Sequence, residues 1–136
     1  MNDSENRWYE SEGVLHYSGN DKLIVEVDQS ISEFYLSLIP KYKNINRQKY
    51  PTHITVVRTG KEQPVNLENW GKYQGEAIKF LYGSYIYSER VYYWLNVICL
   101  RLEEIREELG LSNQSIYTLP PSGFSKFFHI TIANTK

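Results

Sequence analysis

The sequence predicts one α+β domain built from two similar halves. Two stretches, about 30–39 and 100–109, carry apolar residues at helical spacing, whereas several other segments alternate apolar and polar residues as strands do. Each half has strands and a helix and contains one strand with the phrase His-x-Thr-aliphatic, which indicates a loose two-lobed repeat. The length of 136 residues fits a single hydrophobic core. We expect residues 1–12 to form a polar lead-in and residues 13–136 to form the domain.

In the first half, the pattern predicts a hairpin, a helix and a strand. Strands are expected over 14–17 and 22–28 around a turn at 18–21. Ser30 is the expected N-cap of the first helix because Glu33 follows three residues later, as in a capping box. Pro40 ends this helix. A basic loop, 41–49, then leads to a strand over 52–58, and we interpret this loop as solvated, with phosphate binding as the alternative.

In the second half, strands are expected over 76–82, 85–87 and 90–98, with a turn at Gly83 and Ser84. The helix over 100–109 has an apolar stripe, and its glutamates, Glu103 among them, are expected on a solvated side. Gly110 is the expected residue just past its end. A loop over 112–123 leads to the last strand, 124–133.

Composition narrows the class of protein. A net charge of -1 argues against a nonspecific grip on long nucleic acid, which needs many Lys and Arg residues against phosphates. The single Cys99 excludes an internal disulfide and fits a reducing cytosol, and its apolar neighbours place it in the core. No run of 18 apolar residues, secretory signal or metal-binding Cys/His spacing is present. We therefore expect a monomeric cytoplasmic protein without a membrane span, metal or cofactor.

Two of the three histidines lie in matching four-residue phrases. One is His53-Ile-Thr-Val and the other is His129-Ile-Thr-Ile. In a strand, alternation puts the histidine and the threonine on one face and the aliphatic residues on the other. Two such strands side by side would bring two imidazoles and two hydroxyls together, which suits an acid/base pair with hydroxyl donors for a phosphate. The alternative is two ordinary strands whose polar faces happen to carry His and Thr.

The paired motifs resemble the 2H phosphoesterase superfamily, which includes RNA 2′-5′ ligase-like proteins and cyclic phosphodiesterases. Three segments, 22–28, 51–58 and 93–96, are more closely similar to the phage anti-CBASS phosphodiesterases, small 2H proteins that degrade cyclic oligonucleotide signals of bacterial antiviral immunity. The polar lead-in has no place in the family pattern. The resemblance implies a two-lobed, LigT-like α+β fold, with antiparallel sheets forming a concave cleft and helices packed outside.

The resemblance also implies a function and its catalytic residues. His53 and Thr55 match the first motif, and His129 and Thr131 match the second. The implied activity is metal-independent cleavage of cyclic di- or trinucleotides, by which a phage would evade host immunity. The alternatives are an RNA-end enzyme, either a 2′,3′-cyclic phosphodiesterase or a 2′-5′ ligase, and a protein that sequesters a cyclic nucleotide without turnover.

The high aromatic content, 15%, fits either strand packing or base stacking. The candidate substrate-binding residues are Tyr17, Tyr92, Trp94 and Phe127. For Tyr92 and Trp94 the sequence leaves two possibilities, since their strand face could line the cleft or lie in the core. His16 is interpreted as structural or solvent-facing. Arg58 is expected on the strand face opposite His53, away from the chemistry unless the strand bulges.

Overall fold

The computed structural model describes residues 7–114 and 119–135 and has the α+β composition that the sequence predicts. Its two α-helices are α1 (Gln29–Leu38) and α2 (Leu100–Glu108). Its strands are β1 (Trp8–Ser18), β2 (Lys22–Glu26), β3 (Asn46–Arg47), β4 (His53–Val57), β5 (Ala77–Glu89), β6 (Tyr92–Ile98) and β7 (Phe128–Asn134). No helix among the described residues is long and apolar enough to cross a membrane.

The strands form one antiparallel sheet that closes on itself. The order is β3-β7-β4-β2-β1-β5-β6, and β6 pairs in turn with β7. Six strands therefore make a closed ring, and the short β3 extends the pairing of β7 next to β4. The two strands that carry the His-x-Thr motifs, β4 and β7, are neighbours in this ring.

The two faces of the sheet differ in polarity. The aliphatic residues of the motif strands, including Ile54 and Ile130, are fully buried in one core cluster together with residues of both helices. The helices therefore cover the apolar face. On the opposite face, Trp8 of β1 stacks on Phe127, with ring centroids 6.3 Å apart, although β1 and β7 lie three strands apart in either direction around the ring. Since Trp8 and Phe127 lie on opposite sides of the ring, their side chains can meet most directly through its interior. The face opposite the helices therefore points inward.

Capping hydrogen bonds explain where α1 begins and where α2 ends. Asp28, and not Ser30, is the N-cap of α1, because the Asp28 side chain accepts the backbone N–H of Ser30 at 2.9 Å. The prediction of Ser30 was therefore wrong by two residues. At the end of α2, Gly110 has φ +81 and the N–H of Leu111 reaches the carbonyl of Arg106 at 2.9 Å, as a Schellman motif requires.

Three strand predictions differ from the structure. β1 begins at Trp8, so residues 8–12 belong to the sheet and not to a lead-in, while residues 1–6 lie outside the described residues. β5 is continuous, and the predicted turn at Gly83 and Ser84 is absent. The extended β1 explains this, because Trp8 pairs with Gly83 and the chain at Arg7 hydrogen-bonds Ser84. The last strand begins at Phe128, four residues later than predicted.

Candidate active site

The two motif strands pair through their central isoleucines. Ile54 of β4 lies opposite Ile130 of β7 in antiparallel register. Continuing that register by one residue in each direction sets His53 opposite Thr131 and Thr55 opposite His129. Directly opposite residues have Cβ atoms about 4.5–5.5 Å apart, and the diagonal pair formed by the two histidines is separated by about 7–8 Å. Two imidazoles at that spacing leave room for one phosphate group between them.

The neighbouring strand β6 extends the same face. Trp94 lies opposite Thr131 and Asn96 lies opposite His129. Opposite residues of an antiparallel pair point to the same side. The face with Trp94 and Asn96 is therefore the histidine face and not the core, which decides between the two possibilities that the sequence left open. We call this surface the polar face; its residues are His53, Thr55, His129, Thr131, Trp94 and Asn96.

His53 is held by its own strand entrance. Its Nδ1 lies 2.8 Å from the carbonyl oxygen of Pro51. A carbonyl can only accept, so Nδ1 carries the proton and donates it. The other ring nitrogen, Nε2, is then the one available for chemistry, as a proton acceptor in the neutral ring or as a donor in the charged ring.

His129 has a different electrostatic setting. The pKa of His129 is lowered to about 4. Desolvation is the largest cause, and the positive charges of Lys126 and Arg58 add to it. The side chain is nevertheless exposed to solvent. Since solvent around the ring weakens both the desolvation and the effect of the two charges, the consequence that matters is the direction of the shift: His129 is neutral at neutral pH. A neutral imidazole is the form that acts as a general base.

Trp94 contacts His129 on one side and the ring of Tyr87 on the other. Its ring meets the His129 ring edge-on, with centroids 5.7 Å apart and an interplanar angle of 81°. The Trp94 Nε1–H donates to Oδ1 of the buried Asn96 at 3.0 Å. On its other side, Trp94 stacks on Tyr87 with centroids 6.0 Å apart. These contacts fix the tryptophan, and through it one side of the His129 ring.

The other predicted substrate-binding residues are not all brought to this face. Tyr92 shares the strand face of Trp94, lies at the start of β6 and is 39% exposed. Phe127 is half-buried against Trp8, just before β7. Tyr17 lies opposite the buried Leu23, so its ring belongs to the apolar face. The structure therefore brings Tyr92 and Trp94 to one face and separates Tyr17 from them.

His16 lies on the same face of the sheet as the two motifs, although it is far from both of them in the sequence. It pairs with Ile24, which pairs with Thr55, so one strand separates His16 from the first motif. Gln74 accepts the N–H of Tyr17 at 2.8 Å, and its amide nitrogen lies 3.1 Å from His16 Nδ1. Since the amide donates, His16 Nδ1 accepts, and any neutral-ring proton sits on Nε2.

Arg58 is the residue that strict alternation misplaces. Ile24 pairs with Thr55, but the next residue of β2, Leu23, pairs with Val57, so Val56 is an extra residue in β4. The bulge keeps both Val56 and Val57 on the buried side. The exposed Arg58 is thereby turned away from the apolar face, and its charge acts on His129.

Helix α2 supports this end of the site with a buried ion pair. Arg106 is 2% exposed and donates to both carboxylate oxygens of Glu62, at 3.0 Å and 2.7 Å. It also donates to the Val56 carbonyl beside the bulge and to the Ser112 carbonyl. Glu103, predicted to be solvated, is 5% exposed because its carboxylate accepts the Ser125 N–H. The helix therefore fixes both segments that lead into the polar face.

Comparison with known proteins found no matching family model, no matching curated protein and no matching solved structure. Within the described ranges, no group of three His, Cys, Asp or Glu side chains is placed to hold a metal ion. The geometry of the polar face is therefore the basis for the function proposed below.

Proposed function

We propose that this protein is a 2H phosphoesterase of the LigT-like type that cleaves cyclic di- or trinucleotides without a metal. The observation that carries the proposal is the antiparallel pairing of β4 and β7 through Ile54 and Ile130, which sets two His-Thr pairs on one face. In this proposal a phage uses the cleavage to remove a host immune signal, in the manner of the anti-CBASS phosphodiesterases that the sequence resembles.

The two histidines have complementary roles in the proposed reaction. His129, neutral at pH 7, removes the proton from a ribose 2′-OH, and that oxygen attacks the adjacent phosphorus. His53 then acts as the acid, giving the proton on Nε2 to the leaving 5′ oxygen. The bond between phosphorus and the 5′ oxygen breaks, and a 2′,3′-cyclic phosphate forms. Water can open that product with the two roles exchanged.

The threonines serve the phosphate and not the proton transfer. The hydroxyls of Thr55 and Thr131 flank the space between the imidazoles and can donate to nonbridging oxygens as their charge increases. Trp94 contacts the His129 ring edge-on and restricts its orientation.

The test is incubation with a panel of cyclic dinucleotides and 2′,3′-cyclic mononucleotides in EDTA, followed by chromatography. The proposal expects linear products from the cyclic dinucleotides. Turnover confined to 2′,3′-cyclic ends would indicate the RNA-end enzyme instead. Tight binding of every ligand without any product would indicate a sequestering protein.

A further inference from the structure

Two positively charged residues, Arg58 and Lys126, lie beside the polar face. Arg58 follows the last residue of β4, and Lys126 lies two residues before β7 begins. Because β4 and β7 are antiparallel, the end of one strand and the start of the other lie at the same end of the pair. Arg58 and Lys126 therefore flank His129 from two different segments.

Arg58 has donors to spare. Its Nε lies 3.6 Å from the carboxylate of Glu62, which is longer than a hydrogen bond. That carboxylate is already held by Arg106 through two shorter contacts and by the Arg58 backbone N–H. The Arg58 side chain is 62% exposed, so most of its guanidinium remains open to a ligand.

Lys126 is half-buried without a carboxylate partner. No ion pair joins it to an acid in the described ranges 7–114 and 119–135. Its Nζ lies 5.7 Å from the centroid of the Phe128 ring, a cation–π contact that leaves its N–H donors free. The preceding residue, Ser125, is anchored on Glu103 of α2. Lys126 is therefore a partly buried cation with no ion-pair partner among the described residues.

The carboxylates near Lys126 already have other partners. Glu62 and Glu103 are the nearby acids. Glu62 is held by Arg106, and Glu103 accepts a backbone N–H. The charges of Lys126 and Arg58 both act on His129.

We propose that Arg58 and Lys126 form a subsite for a second phosphate group of the substrate, next to the phosphate held between the two histidines. This inference rests on the proposed function and deepens it, because it selects substrates with at least two phosphates. A cyclic dinucleotide meets that requirement, and a 2′,3′-cyclic mononucleotide does not.

Equilibrium binding tests the subsite separately from catalysis. The two ligands are a 2′-deoxy cyclic dinucleotide, with two phosphates, and a linear deoxydinucleoside monophosphate, with one. Neither has the 2′-OH that the proposed reaction needs. Arg58→Gln and Lys126→Met should each weaken binding of the cyclic ligand about tenfold, as expected for a lost charge-assisted hydrogen bond. Binding of the one-phosphate ligand should change less than about twofold.

Conservative and control variants complete the experiment. Arg58→Lys and Lys126→Arg keep the charge and should recover most of the affinity, whereas Lys61→Met, at an exposed lysine of the same turn, should leave both affinities unchanged. Equal loss for both ligands would show that the cations bind the shared phosphate, and no loss for either would show a solvated pair; both results overturn the subsite. If binding follows the expectation but the ribose form is not cleaved, the subsite stands and the proposed enzyme activity fails.

Discussion

The ring of Trp94 meets the ring of His129 edge-on, with centroids 5.7 Å apart. Trp94 is itself fixed by its hydrogen bond to Asn96 and by stacking on Tyr87. We therefore expect Trp94 to orient His129, the proposed general base, and not merely to contact a nucleobase of the substrate. Trp94→Ala should lower kcat about tenfold and leave KM within about threefold, a loss near the 1.4 kcal/mol that separates factors of ten. Trp94→Phe keeps the ring contact and should restore most of kcat; a change confined to KM would indicate base stacking alone.

If the proposed mechanism holds, removal of either motif histidine should nearly abolish turnover. His53→Ala and His129→Ala each remove one proton-transfer group, a contribution of about 10²–10⁴-fold. His16→Ala is the matched control, because His16 lies on the same face, one strand beyond β4's neighbour in the ring. Rates of linear product formation measure the effect. Activity near that of the unaltered protein in either single variant would rule out the two-histidine mechanism.

The threonine variants should be less impaired than the histidine variants. Thr55→Ala and Thr131→Ala each remove one hydrogen bond to a charged phosphate, worth about 1.5–3 kcal/mol in transition-state stabilisation. Thr55→Ser and Thr131→Ser keep the hydroxyl and should retain most of the activity. The comparison uses kcat/KM on one cyclic dinucleotide. Threonine losses that exceed the histidine losses would mean that the roles are assigned wrongly.

The titration of His129 gives a test that needs no substrate. Its pKa is lowered from 6.5 to about 4 by desolvation and by Lys126 and Arg58, so the ring should stay neutral well below pH 6.5. Since the unfolded chain binds this proton more readily, stability should fall as the pH drops through the same window. Ring proton shifts measured by NMR should show the low value, and Lys126→Met and Arg58→Gln should each raise it. An unaltered His129 titration in both variants would contradict the electrostatic account.

The buried ion pair should matter far more to stability than an exposed one. Arg106→Met leaves Glu62 without its bidentate partner and the carbonyls of Val56 and Ser112 without a donor. The expected loss in free energy of unfolding is about 3–5 kcal/mol. Arg47→Met breaks the exposed contact with Glu33 and should cost under about 1 kcal/mol. Urea unfolding of both variants measures the difference, and equal losses would contradict it.

Local patterns were enough to predict the helices and the polar side of each motif. Alternation alone puts His53 with Thr55 and His129 with Thr131, because it depends only on the strand to which they belong. The stop at Gly110 is equally local, since the glycine is needed for a positive φ. These features involve residues within a few positions of one another, so a single sequence is sufficient to find them.

Features that depend on distant partners could not be predicted in this way. The pairing of β4 with β7 joins residues that are 76 positions apart, and the bulge at Val56 is defined by Leu23 on another strand. Glu103 looks solvated in a helical pattern, but it is buried by Ser125. Arg58 is the clearest example of a residue that sequence alternation misplaces, since its side of the sheet depends on the extra residue Val56.

The Ile54–Ile130 pair has a consequence for the symmetry of the site. An antiparallel pair has a local dyad perpendicular to the sheet, and here it exchanges His53 with His129 and Thr55 with Thr131. Backbone geometry therefore treats the two histidines as equivalent, which suits a reaction whose second step exchanges their roles. The groups around the two rings break the equivalence: Pro51 contacts His53, whereas Trp94, Lys126 and Arg58 act on His129. In the proposed reaction, the direction of the first proton transfer would therefore be set by residues outside the two motifs.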